Sequence, residues 1–455
     1  MRYDDILNIQ DLLVAPIYLI FLICIALLLR KRYTKGQPHI KRYFMPALYV
    51  RFLGCLLSAL MYQYYYHGGD TFVYFNGAAT VWYSFWNNTE IFYQFYTISP
   101  ENYPTEIYSY FAPSGAGYLL TRAANTMVIQ IGGLLSLITF KSYLSIGLII
   151  TFFSFLGCWK LFEIFNDQYP NLHKHIAIAT LFIPSVFFWG AAGLMKDTII
   201  MAAVGYVVWG AYYFFIKRKK RITSLLYMGV GGFIVLTIKT YVALALFPAL
   251  ALWIFLQINA NIRSRAIKVL AFPILIIIGG IAASVVFQQM ATAGEQKYHP
   301  ENIMEYAQGA AAWHKLVTEQ AGGVGYDLGT FTPTIGGLLS TIPKAINVTL
   351  FRPYPWEFRK VILFPAMLES LVAFFLTLYV FFKVGFFRTF YLAFSTPVIA
   401  FCLSFSLVFA FALGFSTYNF GALARYKTPC LPFYFVGLVL LLEHRAKKKR
   451  KVAFG

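Results

Sequence analysis

The chain has 455 residues, of which 59 % are hydrophobic, 19 % aromatic and only 12 % charged. A soluble globular domain carries about 25 % charged residues, so this composition excludes an ordinary soluble enzyme. Apolar runs of about 17 residues or more recur from Ile9 to Leu442, and each could cross roughly 30 Å of hydrocarbon as a helix. The sequence therefore predicts an all-α, polytopic membrane helical bundle.

The apolar runs predict about 11 spans. They lie near 12–29, 44–64, 143–165, 175–190, 196–216, 222–238, 241–257, 268–288, 361–382, 389–413 and 427–443. Acidic residues precede the first span, whereas Arg30, Lys31 and Arg32 follow it. The positive-inside rule then places the N-terminus outside and the C-terminus, with its basic tail over 444–455, in the cytoplasm. The net charge of +20 is interpreted as topology, and no nucleic-acid partner is expected.

The chain is predicted to be one integral membrane domain over 1–455 with two long extracytoplasmic segments, 65–142 and 289–360. Helical bundles are usually joined by about 2 to 8 residues, so segments of this length indicate function or disorder. The first is rich in Tyr, Trp and Phe, which favours helices that lie in the membrane interface. Alternatively, 115–140 crosses the membrane, which would reverse the sidedness of everything before it.

The sequence HGGDT at 67–71 follows the second span and contains the first catalytic candidate. Two glycines allow a sharp turn that returns Asp70 to the membrane surface, where its carboxylate could act as a general base. His67 could orient that carboxylate. The alternative is that Asp70 caps the N-terminus of an interfacial helix, a position that aspartate favours.

Cations stand where the predicted inward-running helices begin. They are Lys141, Lys196, Lys239, Arg359, Lys360, Arg425 and Lys427. A helix N-terminus already presents about half a positive charge, so a cation there is mildly unfavourable unless an anion offsets it. Helix N-termini with Lys or Arg suit a phosphate, such as one carried on a lipid. Alternatively, these side chains snorkel to ordinary lipid headgroups.

The sequence GLMKDT at 193–198 predicts a tight outer turn that places Asp197 beside Lys196 in the first turn of a helix. A carboxylate at that position complements the helix dipole. Asp197 is therefore expected to pair with Lys196, in addition to any role in binding.

The sequence FRPYPWE at 351–357 is a rigid segment, because two prolines restrict its backbone. It is expected to hold Arg352, Trp356 and Glu357 at the membrane surface. Such a group suits a sugar phosphate, with the indole stacking on the sugar and the guanidinium binding the phosphate. The alternative is an interfacial aromatic belt.

The sequence YNFGALARYK at 418–427 precedes the last predicted span. Its small residues permit close approach, and Arg425 and Lys427 are expected to face the same outer cavity as the other cations. Inside the bilayer, Arg51 and Glu369 are the clear ionisable residues, and such groups are costly enough to be functional candidates. Arg51 is expected to snorkel to the inner surface, which leaves Glu369.

An acidic residue in a long outer loop, aromatic interfacial helices and many later spans resemble the GT-C superfamily of membrane glycosyltransferases. The clusters around Lys196, Arg352 and Arg425 are also similar to those of bacterial polysaccharide polymerases. Members of the superfamily use polyprenyl- or dolichyl-phosphate-linked sugars outside the cytoplasm, and an acidic residue activates the acceptor. By this resemblance that residue is Asp70, although the family's acid normally follows the first span and Asp70 follows the second.

The leading hypothesis is an integral glycosyltransferase or glycan polymerase of cell-envelope synthesis. Asp70 and His67 are its catalytic residues. The residues that bind the substrate phosphate and sugar are Lys196, Asp197, Lys239, Arg352, Trp356, Glu357, Arg425 and Lys427. This hypothesis requires that Asp70 and Arg352 face one extracytoplasmic pocket. The alternatives are a transporter or flippase of a lipid-linked glycan, with Glu369 as its buried ionisable group, and a non-catalytic envelope assembly subunit.

The expected partners are a lipid-linked sugar, membrane lipids and other envelope-biosynthesis proteins, and the expected location is the inner (plasma) membrane of the cell, as a multi-pass protein. The cofactor stays undefined. The few histidines, including His67, His299 and His314, lack the spacing of a metal site, so no metal ligand is assigned and a divalent-cation requirement stays open.

Overall fold

The fold is that of a computed structural model, which describes residues 6–260, 316, 324–329, 335–357 and 359–453. The described residues are helical apart from turns and one isolated antiparallel bridge between Gly325 and Asn419, which confirms the all-α class for this part of the chain. The predicted span at 268–288 and most of the predicted outer segment 289–360 lie outside the described residues.

The longer helices of the first half are numbered in chain order. They are α1 (Ile9–Tyr33), α2 (Pro38–Tyr64), α3 (Asp70–Asn87), α4 (Thr89–Thr97), α5 (Thr105–Phe111), α6 (Ala123–Thr139), α7 (Tyr143–Gln168), α8 (His173–Leu181), α9 (Pro184–Phe188), α10 (Lys196–Ala211), α11 (Arg221–Ile238) and α12 (Thr240–Ala260). The predicted outer segment 65–142 therefore contains α3 to α6 and is ordered as helices.

The described helices after position 334 continue the numbering. They are α13 (Ile335–Phe351), α14 (Phe364–Val384), α15 (Phe386–Ser395), α16 (Pro397–Thr417), α17 (Phe420–Tyr426) and α18 (Leu431–Ala453). The predicted span at 389–413 starts later than expected, because the chain leaves the helical conformation at Thr396, directly before Pro397. A residue before proline is disfavoured in the α conformation, which accounts for the break.

Eight helices of the described residues are long and apolar enough to cross a membrane. A bent pair, Pro170–Leu181 and Pro184–Ala191, would make nine if it forms one span. Helix α6 is apolar but shorter, with 17 residues, so the alternative of a crossing at 115–140 stays open. The described residues thus contain several candidate membrane spans, whereas the number of spans and their orientation stay predictions.

The chain divides into two compact units. The first comprises Met1–His173, Val186–Gly210 and Leu225–Thr240, and the second comprises Lys174–Ser185, Ala211–Ser224 and Tyr241–Gly455.

Helix α7 forms the centre of the first unit. Of its 18 most apolar consecutive residues 89 % are buried, against 17 % for the corresponding stretch of α1. On α1, the side chains of Leu12 and Ile17 are 73 % and 65 % exposed. Apolar surface of this extent is expected to face lipid. Helices α7 and α10 cross closely at Gly157 and Gly205. A Cβ on Gly157 would overlap the backbone of Ala202, and a Cβ on Gly205 would overlap the backbone of Gly157.

In the second unit, α16 packs against α13 and α18. Gly414 on α16 lies against the backbone of Ala345, and the hydroxyl of Thr349 donates to the carbonyl of Ala410 at 2.7 Å. The stacked rings of Trp253 and Phe401, with centroids 4.8 Å apart, extend this core. Small residues and hydroxyl bonds between helices are the usual means of close packing in membranes.

Candidate functional site

The turn at 67–70 forms as the sequence predicts. His67, Gly68 and Gly69 have φ angles of 50°, 147° and 126°, and the two glycines adopt values that other residues rarely reach. Helix α3 begins at Asp70, Gly69 occupies the cap position, and no side-chain cap hydrogen bond forms there. The alternative that Asp70 is the N-cap is wrong, because Asp70 is the first residue of the helix itself. The side chains of Asp70 and His67 are both exposed.

Polar residues at several helix starts of the first unit gather around Lys196, and we name this group the first centre. Lys196 begins α10 and lies within electrostatic range of Lys239, Asp70, Asp197 and Arg122. Asp70 begins α3, whereas Arg122 directly precedes α6 and Lys239 directly precedes α12. The structure thus brings together four residues that the sequence analysis selected, and adds Arg122.

Asp197 forms an ion pair with Lys239, whose Nζ donates to Oδ1 of the carboxylate. The sequence analysis expected Lys196 as the partner. Both residues of the pair are buried, with exposures of 1 % and 6 %. In contrast, Arg122 is exposed and Lys196 is half-buried. The first centre therefore holds three cations against two carboxylates, and its accessible part consists of Asp70, Lys196 and Arg122.

Arg51 is also part of the first unit, and the expectation that it snorkels to the membrane surface is wrong. Its side chain is completely buried. Its Nη1 donates to Ser154 Oγ and to the carbonyl of Gly190, both at 3.1 Å, and its Nη2 donates to Cys158 Sγ at 2.8 Å.

The second unit holds a separate polar network, which we name the second centre. Glu369 accepts hydrogen bonds from the Ser185 amide at 2.9 Å and from its hydroxyl at 3.1 Å. Lys427 lies within electrostatic range of Glu369 and donates to Ser370 Oγ at 2.8 Å, and Ser370 donates to the carbonyl of Arg352 at 2.9 Å. Glu369 and Lys427 are 5 % and 1 % exposed.

The fork of Arg352 is occupied by Glu357, since Nε donates to Oε2 at 2.9 Å and Nη2 donates to Oε1. The same carboxylate accepts from the Tyr354 amide at 2.9 Å. The guanidinium also lies over the ring of Phe420 at 5.2 Å and that of Tyr326 at 5.9 Å. The sequence analysis expected this fork to bind phosphate, whereas in the structure an internal carboxylate takes that position.

The remaining aromatic and basic candidates of the second unit have local contacts. Trp356 is 77 % exposed and stacks on Tyr354 with centroids 5.0 Å apart. Arg425 lies over the ring of Tyr426 and donates to its hydroxyl at 3.0 Å. Burial raises the pKa of Tyr418 to about 12, and the negative charge of Asp327 acts in the same direction.

Sequence reasoning missed Arg122, Ser185 and Ser370. Arg122 precedes an apolar helix as the selected cations do, so the same pattern could have found it. The two serines carry no charge and had no such signal. Among the residues that the structure describes, no group of three or more His, Cys, Asp or Glu side chains could hold a metal ion.

Comparisons of the chain with known protein families, curated proteins and solved structures found no match. Function is therefore argued from the chemistry of the two centres, and the GT-C resemblance stays an expectation.

Proposed function

We propose that this protein is an integral membrane glycosyltransferase or glycan polymerase that takes a sugar from a polyprenyl-(di)phosphate-linked donor on the extracytoplasmic face of the bacterial inner membrane. One observation carries the proposal: Lys196 has the exposed carboxylate of Asp70 and two further cations, Lys239 and Arg122, within electrostatic range. Such a transfer needs a base that accepts the proton of the acceptor hydroxyl and positive charge that stabilises the leaving phosphate.

In the proposed reaction, Asp70 accepts the proton of an acceptor hydroxyl. The hydroxyl oxygen forms a bond to the anomeric carbon of the sugar, and the bond from that carbon to the phosphate oxygen breaks. The electron pair leaves with the lipid phosphate, whose charge Lys196 and Arg122 offset. Fixed charges that stabilise a developing anion are commonly the largest single contribution to catalysis.

The start of α10 gives a second reason to place the phosphate beside Lys196. The first amides of a helix have no partner within it, and the helix dipole adds partial positive charge there. The buried pair of Asp197 and Lys239 lies at the same end of the helix and holds it by one ion pair. In this proposal Asp197 is thus a structural residue of the site.

The test is transfer activity of Asp70→Asn with Glu101→Gln as the matched control, because Glu101 is another exposed carboxylate of the outer segment. Purified protein is incubated with bacterial membrane lipid extract, and new glycolipid masses are measured. Removal of a general base is expected to lower the rate by about 10²- to 10⁴-fold with the folded yield unchanged. Near-normal activity of Asp70→Asn would refute the catalytic role, and loss in Glu101→Gln would show that the effect is not specific.

A second candidate function is favoured by the second centre. Glu369 and Lys427 are ionisable and buried, which is the arrangement that a transporter or flippase of a lipid-linked glycan would use. In that case the lipid-linked glycan crosses a vesicle membrane with its mass unchanged. Glu369→Gln would then stop the movement and Asp70→Asn would not, which is the reverse of the pattern expected for the enzyme.

A further inference from the structure

We propose that Arg51 is a positioning residue, which holds the connection at 187–195 and thereby sets the place of Lys196 in the first centre. The inference rests on the proposed function for its consequence, while the contacts that support it are independent of any reaction.

The connection begins with the end of a short helical segment. The last carbonyls of this segment accept hydrogen bonds from side chains of neighbouring helices. The carbonyl of Gly190 accepts from Arg51 Nη1 at 3.1 Å and from Ser154 Oγ at 2.6 Å. The carbonyl of Ala191 accepts from Thr151 Oγ1 at 2.9 Å. Terminal carbonyls have no partner within their own helix and form the negative end of its dipole. A guanidinium placed there donates a hydrogen bond to the carbonyl and offsets the partial negative charge of the helix end.

Glycines seat the same connection tightly against α2 and α7. A Cβ on Gly54 would overlap the carbonyl oxygen of Phe187. Gly193 has a φ of +68°, and a Cβ there would lie 3.2 Å from the Cα of Gly147. Larger side chains at these positions would therefore displace the connection, and the turn needs glycine at 193.

The connection passes directly into the first centre. The amide of Met195 donates to the carbonyl of Gly193 at 2.8 Å, and α10 begins at the next residue, Lys196. A shift of the carbonyls at 190 and 191 is thus transmitted through a short, tightly turned segment to the cation that the proposed site uses.

The buried charge of Arg51 supports the same role. A buried cation is costly without compensation. The hydrogen bonds of Arg51 go to neutral acceptors, Ser154, Gly190 and Cys158, so an arginine at this position indicates that these bonds are needed. The guanidinium reaches two groups of α7 and a carbonyl of the connection from two separate nitrogens, a spread that the single nitrogen of a lysine does not have. A hydrophobic residue would fill the volume and leave the carbonyl of Gly190 with fewer donors.

The experiment compares Arg51→Met, Arg51→Lys and Thr151→Val with the control Ser58→Ala, in the full-length protein in detergent. Ser58 is buried on α2, and its hydroxyl donates to the Cys55 carbonyl within the same helix. Amide hydrogen exchange is followed by mass spectrometry, because it reports local opening. Binding of decaprenyl phosphate is measured by titration.

Arg51→Met is expected to raise exchange in the peptide over 190–199 on the order of tenfold, with little change in α3 or the second unit. Thr151→Val should raise it less, Arg51→Lys should restore part of the protection, and Ser58→Ala should match wild type. The dissociation constant for decaprenyl phosphate should rise in the same order.

Unchanged exchange over 190–199 in Arg51→Met, or a uniform rise over the whole first unit, would overturn the proposal. If Arg51→Met does not fold, Arg51→Lys keeps a buried cation but loses the forked guanidinium, and exchange over 190–199 equal to wild type in that variant would overturn the proposal. A wild-type protein that neither binds decaprenyl phosphate nor transfers sugar would refute the proposed function, while the exchange data would still test the role of Arg51.

Discussion

The accessible part of the first centre and the second centre use the same residue types in opposite ways. In the first unit, Asp70 and Arg122 are exposed and Lys196 is half-buried. In the second unit, Glu369 and Lys427 are almost completely buried, at 5 % and 1 % exposure.

Exposure decides what each set of charges can do. Exposed charges stay hydrated and can exchange water for a ligand, whereas a buried pair stabilises only as long as both partners and their hydrogen bonds are present. The second centre carries the hydrogen bonds of Ser185 and Ser370, and Arg352 is paired with Glu357. The first centre is therefore suited to an anionic ligand, and the second to fixing helices.

The largest expected effect tests the structural role of the second centre. Glu369→Ala leaves the amide and hydroxyl of Ser185 without their acceptor and removes the negative charge near the buried Lys427, so it should lower the free energy of unfolding by about 2–5 kcal/mol. The stability of the variants is compared by the fraction of each protein that stays monodisperse after heating in detergent. Asp70→Asn should leave that fraction unchanged, since Asp70 is exposed.

A double variant sharpens this prediction. Replacing both charges, in Glu369→Ala with Lys427→Met, removes the buried cation as well and should recover part of the stability lost in Glu369→Ala. If the single variant is as stable as wild type, the second centre is not a structural network, and the comparison of the two centres fails.

A smaller effect is expected for binding at the first centre. Lys196→Met should weaken binding of decaprenyl phosphate by about 10- to 100-fold, because a hydrogen bond to a charged group contributes about 1.5–3 kcal/mol. Binding is measured by titration into detergent-solubilised protein. Lys360→Met is the matched control, since Lys360 is also a half-buried lysine, directly before the 3-10 turn 361–363 that leads into α14 of the second unit. Equal weakening in both variants would show that the first centre is not special.

Local features were the most predictable from sequence. HGGDT predicted a sharp turn, and the structure confirms it because glycine alone tolerates those φ angles easily. Lys196 and Lys239 stand at helix starts as predicted, whereas Arg425 lies in the last turn of α17 and Lys427 caps the end of that helix. The start of α16 at Pro397 was not predicted, because the apolar run continues across Thr396 and hydropathy alone gave one span there.

Partners distant in sequence were not predictable. Asp197 pairs with Lys239, 42 positions away, and Glu369 binds Ser185, 184 positions away. Hydropathy carries no information about which helices meet. Arg51 was misjudged for the same reason, because its depth in a span was known and its neighbours on α7 were not.

The smallest expected effect distinguishes the exposed edge of the first centre from its half-buried part. Arg122→Gln should weaken binding of decaprenyl phosphate only slightly, because pairs between exposed charges contribute about 0.2–1 kcal/mol. The loss should vanish near 1 M salt, where the screening length falls to about 3 Å, while the loss in Lys196→Met should persist. Titrations at low and high salt measure both, with Arg359→Gln, another exposed arginine near a helix start, as control. A salt-independent loss in Arg122→Gln would mean that Arg122 contacts the ligand in a dehydrated site, so that the accessible part of the first centre is more enclosed than its side-chain exposure indicates.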